Sequence, residues 1–325
     1  MARHGGVLTR RFRVVFPATI AIAASTVLLL SSHHPDDSTP PLAATAMAPT
    51  SDSTAIVLLG TGTPRPDANG PATAIVVGNR TFLFDAGSGV EHQLNSAHLP
   101  INGLTALFIT HLHSDHTLGL PDLILTSWVM GRHTALDAYG PHGLKAMVDH
   151  IIAAWQEDID IRTTGLEHES PGGYRVHVRE IAPGVVYDSA GVRITAIPVL
   201  HGAWKEAFGY RIDTPDRHIV ISGDTRPSDA LARAAKGADV LIHEVYPSSA
   251  LVPEARPGGK DWPAYLRSFH TSDVELGQLA ARVTPRLLIL DHVVRGGATD
   301  SAIVAGVRQG GFTGRVVVGK DLDRY

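Results

Sequence analysis

The chain has 325 residues, 44% apolar and 18% charged, with 28 basic against 32 acidic side chains, a net charge of −4 and no Cys. Disulfides, thiolate zinc sites and cysteine nucleophiles are therefore excluded, as are the disordered, collagen-like and multi-span membrane classes. The length admits two domains at roughly 150 residues each, but with the atypical N-terminus set aside one large α/β domain accounts for the rest.

Arg3, Arg10, Arg11 and Arg13 precede an uncharged run from Val14 to Leu30, with no acid before Asp36. A basic head followed by an apolar stretch reads as an export signal. The run is at the lower limit for crossing a bilayer, so an uncleaved anchor stays open. Small-x-small cleavage sites fall at Ala44-Thr45-Ala46 and Ala46-Met47-Ala48, and Pro49 disfavours the second. Residues 31–54 are a Ser, Thr, Pro, Asp and Ala-rich tether. The expectation is an export signal (or anchor) with its linker over 1–48, a periplasmic or extracellular location unless the anchor is retained, and a folded domain over 49–325. Cutting near Ala46 removes four Arg against two acids, which leaves the mature chain more acidic still.

From Ala55 onward, short β-branched runs end in Gly, Asp or His. Buried strands are predicted at 55–60, 72–78, 81–85, 104–110, 192–199, 218–222, 239–243 and 287–291. Over 143–156, Leu144, Met147, Val148, Ile151, Ile152 and Trp155 recur at helical spacing. A second helix over 272–283 begins with Ser272-x-x-Glu275, a capping-box pattern. A meander first, with helices arriving between later strands, predicts α+β (mixed α/β layers) rather than a doubly wound sheet.

The densest chemical signal is Thr110-His111-Leu112-His113-Ser114-Asp115-His116, directly after an apolar run. Extended backbone puts His111 and His113 on one side, and the following turn can present Asp115 and His116 nearby. Four N/O donors in six residues suit two adjacent cations. Further ligands are expected at other strand ends. His201 follows ITAIPVL, Asp224 follows HIVISG and His292 follows LLILD. A carboxylate such as Asp224 can bridge two ions held roughly 3.5–4 Å apart.

HxHxDH at 111–116, His201, SGDT at 222–225 and His292 resemble the metallo-β-lactamase superfamily. LGTGTPRP (59–66), LFDAGSG (83–89), FITHLHSDHTLGLP (108–121), ISGDTRPS (221–228), HEV (243–245) and FHTS (269–272) are similar to its ribonuclease Z and arylsulfatase-like branch. The resemblance implies a four-layer αββα sandwich forming a hydrolase domain, with two Zn2+ per chain. It puts His111, His113 and His201 on one ion and Asp115, His116 and His292 on the other. Asp224 bridges them, and a hydroxide between the ions is the nucleophile; Asp115 counts as catalytic as well as ligating. Glu244 and His270 match the pair that assists the leaving group, His270 as proton donor and Glu244 as its orienter. All-N/O ligation also admits manganese or iron.

Several features depart from ribonuclease Z. That enzyme usually carries a long basic tRNA-gripping arm between the positions of His201 and Asp224, whereas residues 202–223 are mostly FGYRIDTPDRHIVIS. The 132–190 insertion includes the acidic EDIDIRTTGLEHES, and Asp291 and Val293 flank His292 atypically. The mature chain has no Lys/Arg cluster of the kind that binds a phosphate backbone. The expectation is therefore an exported binuclear zinc hydrolase of a small phosphate or sulfate ester (arylsulfatase- or phosphodiesterase-like), with a small-molecule ester as partner and nucleic acid disfavoured. The alternatives are a ribonuclease Z-type endonuclease (tRNA 3′-processing), a metal-dependent lactone or thioester hydrolase, and a binding protein that has lost turnover. A homodimer stays open. Trp128 and Trp204 are candidate walls of the substrate pocket, and Asn69 and Gly70 are expected to shape a loop near the metals.

Overall fold

The computed structural model describes residues 53–325 apart from Arg256, so the N-terminal address read over 1–48 lies outside the described residues. The first sheet runs in sequence order: β1 (Thr54–Gly60), β2 (Ala72–Val77), β3 (Arg80–Phe84), β4 (Leu104–Phe108), β5 (Leu136–Gly140) and β6 (Val176–Glu180). Its first three strands are antiparallel, and β3 through β6 are parallel. The second sheet comprises β7 (Gly184–Ser189), β8 (Val192–Pro198), β9 (Phe208–Asp213), β10 (His218–Ile221), β11 (Val240–Val245), β12 (Leu287–Val293) and β13 (Arg315–Val318). There β7 to β10 are antiparallel and β10 to β13 parallel.

The helices are α1 (Val90–Ser96), α2 (Ser114–Thr117), α3 (Leu120–Val129), α4 (Leu144–Ala154), α5 (Gln156–Thr164), α6 (Asp229–Ala235), α7 (Trp262–Phe269), α8 (Asp273–Val283) and α9 (Asp300–Gln309). Strand alternation sorts the apolar residues into three layers. Ile56, Leu58, Phe82 and Phe84 of the first sheet meet Val240, Ile242, Leu287 and Ile289 of the second. Their in-between neighbours Val57, Leu59 and Leu83 pack under α1, α3 and α4. On the far side Leu241, Leu288 and Leu290 pack under α6, α8 and α9. Sheets buried on both faces explain the near-continuous apolar runs. Each fully buried aliphatic side chain contributes roughly 1.5–3 kcal/mol. The result is the expected four-layer αββα sandwich.

All eight strands expected from sequence are present. The 272–283 helix starts as its capping box dictates: Glu275 N–H donates to Ser272 Oγ (3.3 Å), and Ser272 N–H to Glu275 Oε2 (3.0 Å). The 143–156 helix ends earlier, at Ala154, and Trp155 is 41% exposed rather than seated on the apolar face. Both sheets direct chemistry to one edge. Below it lies a stack of Phe84, Phe108 and Tyr139, with centroids 5.1 and 4.8 Å apart. Tyr210 Oη donates to the Ile109 carbonyl at 2.7 Å, tying the second sheet to the segment that carries the histidine motif.

Candidate metal centre

Each expected ligand sits where a strand has just ended or is bent. His111 and His113 follow β4, while Asp115 and His116 lie on the single turn of α2. His201 follows β8 and Asp224 follows β10, reached through Gly223 at φ 57. A Cβ on Gly223 would stand 2.6 Å from the Phe208 carbonyl oxygen, so only glycine allows this turn. His292 is the extra residue of a bulge: Glu244 pairs with Asp291 and Val245 with Val293, leaving His292 between at φ 41. A bulge re-aims one side chain out of the ladder. The Asp291 carboxylate accepts the His292 N–H at 2.8 Å, which supports the strained backbone there.

The seven side chains converge. His111 Nε2 and His201 Nε2 lie 2.9 and 3.1 Å from His113 Nδ1. Ligands roughly 2.0–2.1 Å from a tetrahedral zinc stand about 3.3 Å apart, so this triad is spaced to hold one ion. Asp224 Oδ2 faces it, 3.9 Å from His111 Nε2 and 3.8 Å from His201 Nε2. The other oxygen, Oδ1, faces His116 Nε2 at 3.4 Å and His292 Nδ1 at 3.7 Å. Asp115 Oδ2 closes this second group, 3.2 Å from His292 Nε2 and 3.9 Å from His116 Nε2. One carboxylate oxygen toward each cluster is the placement a bridging ligand needs. His116 Nε2, His292 Nδ1 and Asp224 Oδ1 are buried without a hydrogen-bond partner. Such orphaned atoms cost free energy unless a ligand engages them, and together with the donor spacing they fit divalent cations.

The surroundings fix the rings. His116 Nδ1 lies 2.8 Å from Asp85 Oδ2, and Asp85 also accepts from Thr110 N–H at 2.8 Å. His201 Nδ1–H donates to the Phe269 carbonyl (2.8 Å), which leaves the Nε2 lone pair for a cation. Electrostatically the two clusters differ. Burial, and then their like-charged neighbours, push His113 down to about 4; burial likewise holds His201 at about 4 against the attraction of Asp224. His111 is driven well below its ordinary value, mainly by burial. Burial opposes the charging of His292 and His116 too, but Asp224 and their other carboxylate partners outweigh it. His292 is pushed up to about 9 and His116 well above the usual range. Asp224 is held well below the carboxylate range because His292 and His116 overcome its burial.

Glu244 and His270 are brought to the same place. Glu244 Oε1 accepts from Thr271 N–H (2.9 Å) and Thr225 N–H (3.3 Å), and its Oε2 stands 3.3 Å from His270 Nδ1 without hydrogen-bond alignment. His270 Nδ1 is also 3.9 Å from Asp224 Oδ2. Burial opposes the charging of His270, yet Glu244 and Asp224 raise its pKa. His243, fully buried, turns its Nδ1 to the Glu244 carbonyl. A cavity of about 550 Å³ opens on this group, lined by His113, Asp115, Asp224, His270 and His292, with Arg65, Trp262, Tyr265 and Arg295 at its sides.

The two expected aromatic walls separate. Trp128 is fully buried, donates to the Ser170 carbonyl and packs on Tyr174, so it is core. Trp204 touches the site through its indole N–H, which donates to His113 Nε2 at 2.8 Å. Gly70 approaches so closely that a Cβ would stand 2.6 Å from the Asp115 carbonyl oxygen, and Asn69 Nδ2 donates to Asp321 (2.7 Å). Sequence reasoning missed Asp85, Trp262 and Tyr265. The LFDAGSG motif contains Asp85, but only the fold shows it beneath His116.

Residues 80–293 match the family described as a beta-lactamase superfamily domain. A ribonuclease Z of Mycobacterium sp. (strain KMS) is 35% identical over 246 residues, covering 73% of this chain and 83% of its own. Among solved structures, the metallo-beta-lactamase fold protein YhfI from Bacillus subtilis superposes with a TM-score of 0.66 at 18% identity, covering 84% of this chain and 99% of that one. The short form of human tRNase Z does so at 0.61 and 22% identity, over 83% and 98%. These two structures show the fold. The curated relative overturns the expected small phosphate or sulfate ester substrate and the expectation that nucleic acid is a disfavoured partner, because it is a ribonuclease. The error was physical. A net charge sums the whole surface, whereas phosphate contacts depend on the local field, and Arg65 and Arg295 border this cavity. The short 202–223 connection removes one place for an arm without touching that rim.

Proposed function

We infer that the chain is an endoribonuclease, starting from its family: it belongs to the β-lactamase superfamily and, within that, to the ribonuclease Z branch. It is a hydrolase of that superfamily with a divalent-metal site. The finer reading is a ribonuclease Z-type endonuclease (tRNA 3′-processing) that hydrolyses an RNA phosphodiester and holds two Zn2+, or manganese or iron in their place. His111, His113 and His201 would hold one ion, Asp115, His116 and His292 the other, with Asp224 shared. Bound cations supply an acidified water and neutralise charge on the phosphoryl oxygens.

The remaining work falls to the chain's own groups. His270, its pKa raised beside Glu244, keeps a proton for the departing sugar oxygen. Glu244, clamped by two backbone N–H groups, holds that ring in place. Asp85 and the Phe269 carbonyl keep His116 and His201 in the ligating orientation. The supporting observation is the Glu244–His270 pair set against Asp224 in a chain 35% identical to a ribonuclease Z. The test is incubation of zinc-loaded protein with an end-labelled precursor tRNA bearing a 3′ extension. A single endonucleolytic cut, absent with Asp224→Ala, is expected; no cleavage of this or any other RNA refutes the reading.

A further inference from the structure

Between the HEV and FHTS motifs lie turns at Ser248–Ala250 and Gly259–Asp261, followed by α7. Fully buried Leu266 packs with Tyr246 and Ala250, fixing α7 to the exit of β11. Trp262, Tyr265 and Phe269 stand at i, i+3 and i+7 and so share one face. Their rings form a ladder: Trp262 on Tyr265 at 5.0 Å and 14°, and Tyr265 on Phe269 at 4.4 Å and 24°. The inner end is locked to the metal centre. Phe269 lies edge-on to His201 at 5.0 Å and near-parallel to His113 at 6.3 Å. Gly202, at φ 53, leaves room for it; a Cβ there would be 2.0 Å from Phe269 Cζ.

Nothing in phosphodiester hydrolysis itself calls for this ladder. Yet Trp262 and Tyr265 line the cavity that opens on the ligands, and Tyr265 is 5.6 Å from His270. Half-buried rings on a rigid helix are the surface on which nucleobases stack, with little regard to sequence. Arg65 and Arg295, from loops after β1 and β12, border the same cavity. Each is paired with a neighbouring acid, Asp67 at 3.5 Å and Asp300 at 2.5 Å, and each keeps an exposed side chain. A guanidinium so placed can still take a phosphate oxygen.

We propose that Trp262 and Tyr265 form a nucleobase subsite for the nucleotide whose sugar oxygen departs at His270, with Arg65 and Arg295 contacting the flanking phosphates. The subsite rests on the endoribonuclease reading and adds to it what the cavity selects. A base on the leaving side is recognised by shape and stacking, and the base across the scissile bond is not.

The test uses the zinc-loaded full chain and a short RNA with one mapped cleavage site, made in three forms: intact, abasic on the leaving side, and abasic on the other side. Loss of the leaving-side base should lower kcat/KM by roughly 5- to 150-fold, chiefly through KM, and loss of the other base by no more than about twofold. Trp262→Ala should reduce cleavage of the intact RNA by a similar factor and abolish the sensitivity to the leaving-side base, while Trp262→Phe keeps it. Wild-type protein that cleaves RNA but ignores the leaving-side base overturns the subsite and leaves the nuclease reading standing. So does a Trp262→Ala protein as base-sensitive as wild type. Failure to cleave RNA at all overturns both. Should Trp262→Ala not fold, the wild-type comparison of the two abasic substrates decides alone.

Discussion

Loading the two clusters with zinc should release protons unequally. The His111, His113 and His201 rings are neutral at pH 7, two of them with pKa values near 4. Trp204 donates to His113 Nε2, so the His113 proton sits on Nδ1, facing the Nε2 atoms of His111 and His201. An ion at Nδ1 only has to move that proton to Nε2, and this cluster binds with almost no net release. The second cluster is different. His292 stays protonated to about pH 9 and His116 well above its ordinary value, because Asp224 and their other carboxylates outweigh burial. A raised pKa means the cation competes with a proton, so affinity climbs as pH rises and levels off above the folded pKa. At pH 7, two units below 9, His292 alone weakens the second ion about a hundredfold, roughly 3 kcal/mol. Titration calorimetry of metal-free protein with zinc, in buffers of different ionisation enthalpy from pH 6 to 9, counts the protons. The rings should release about two protons at pH 7 and progressively fewer toward pH 9, with up to one more from the water that the cations acidify. A count of one or fewer at pH 7, no more than the water alone supplies, would refute the charge assignment.

His111→Ala and Asp224→Ala should each lower RNA cleavage by orders of magnitude while circular dichroism stays native, and near-wild-type rates in either would contradict the assigned centre. His270→Ala should cost roughly 10²–10⁴-fold on RNA, whose leaving oxygen needs a proton, and far less on bis(p-nitrophenyl) phosphate, whose leaving group does not. Equal losses on the two would remove the acid role. Export and the processing of nascent tRNA call for different compartments, and mass spectrometry of cell fractions decides between them: a chain cut near Ala46 outside the cytoplasm supports the export reading, and an intact N-terminus on a cytoplasmic protein reverses it.

The candidate ligands could be picked out in the sequence because strands buried on both faces leave continuous apolar runs, and each run stops where the chain turns to polar residues. His111, His201, Asp224 and His292 all follow that rule. The five strands that escaped notice, β5, β6, β7, β9 and β13, are short, interrupted by glycine or half-exposed, as Val176–Glu180 is along most of its length. The His292 bulge left no sequence signal at all, since an extra residue in one strand is defined only by its partner's register. Trp204 and Trp128 could not be told apart either: both follow motif residues, and only packing separates a ring that touches His113 from one buried under Tyr174.

Substrate choice was the least legible property, for a reason that reaches beyond this chain. Net charge is additive over sequence, but the potential a phosphodiester meets is a local sum taken over a few ångströms of low-dielectric cavity. Here most acids lie elsewhere, and the acids facing the cavity are Asp115, Asp224 and Glu254. Two of those three belong to the metal centre, where paired cations would more than cancel them. An acidic chain can thus present a cationic mouth. The same reasoning makes the absent arm a weak argument, because α7 supplies aromatic surface at the cavity itself. Grip from such a wall scales with stacking rather than with counter-ions displaced, so RNA affinity should fall less steeply with salt than for an arm-bearing enzyme. Cleavage measured from 50 to 200 mM salt checks this: a loss approaching the thousandfold expected for many phosphate contacts would place the grip in unrecognised basic surface instead of α7.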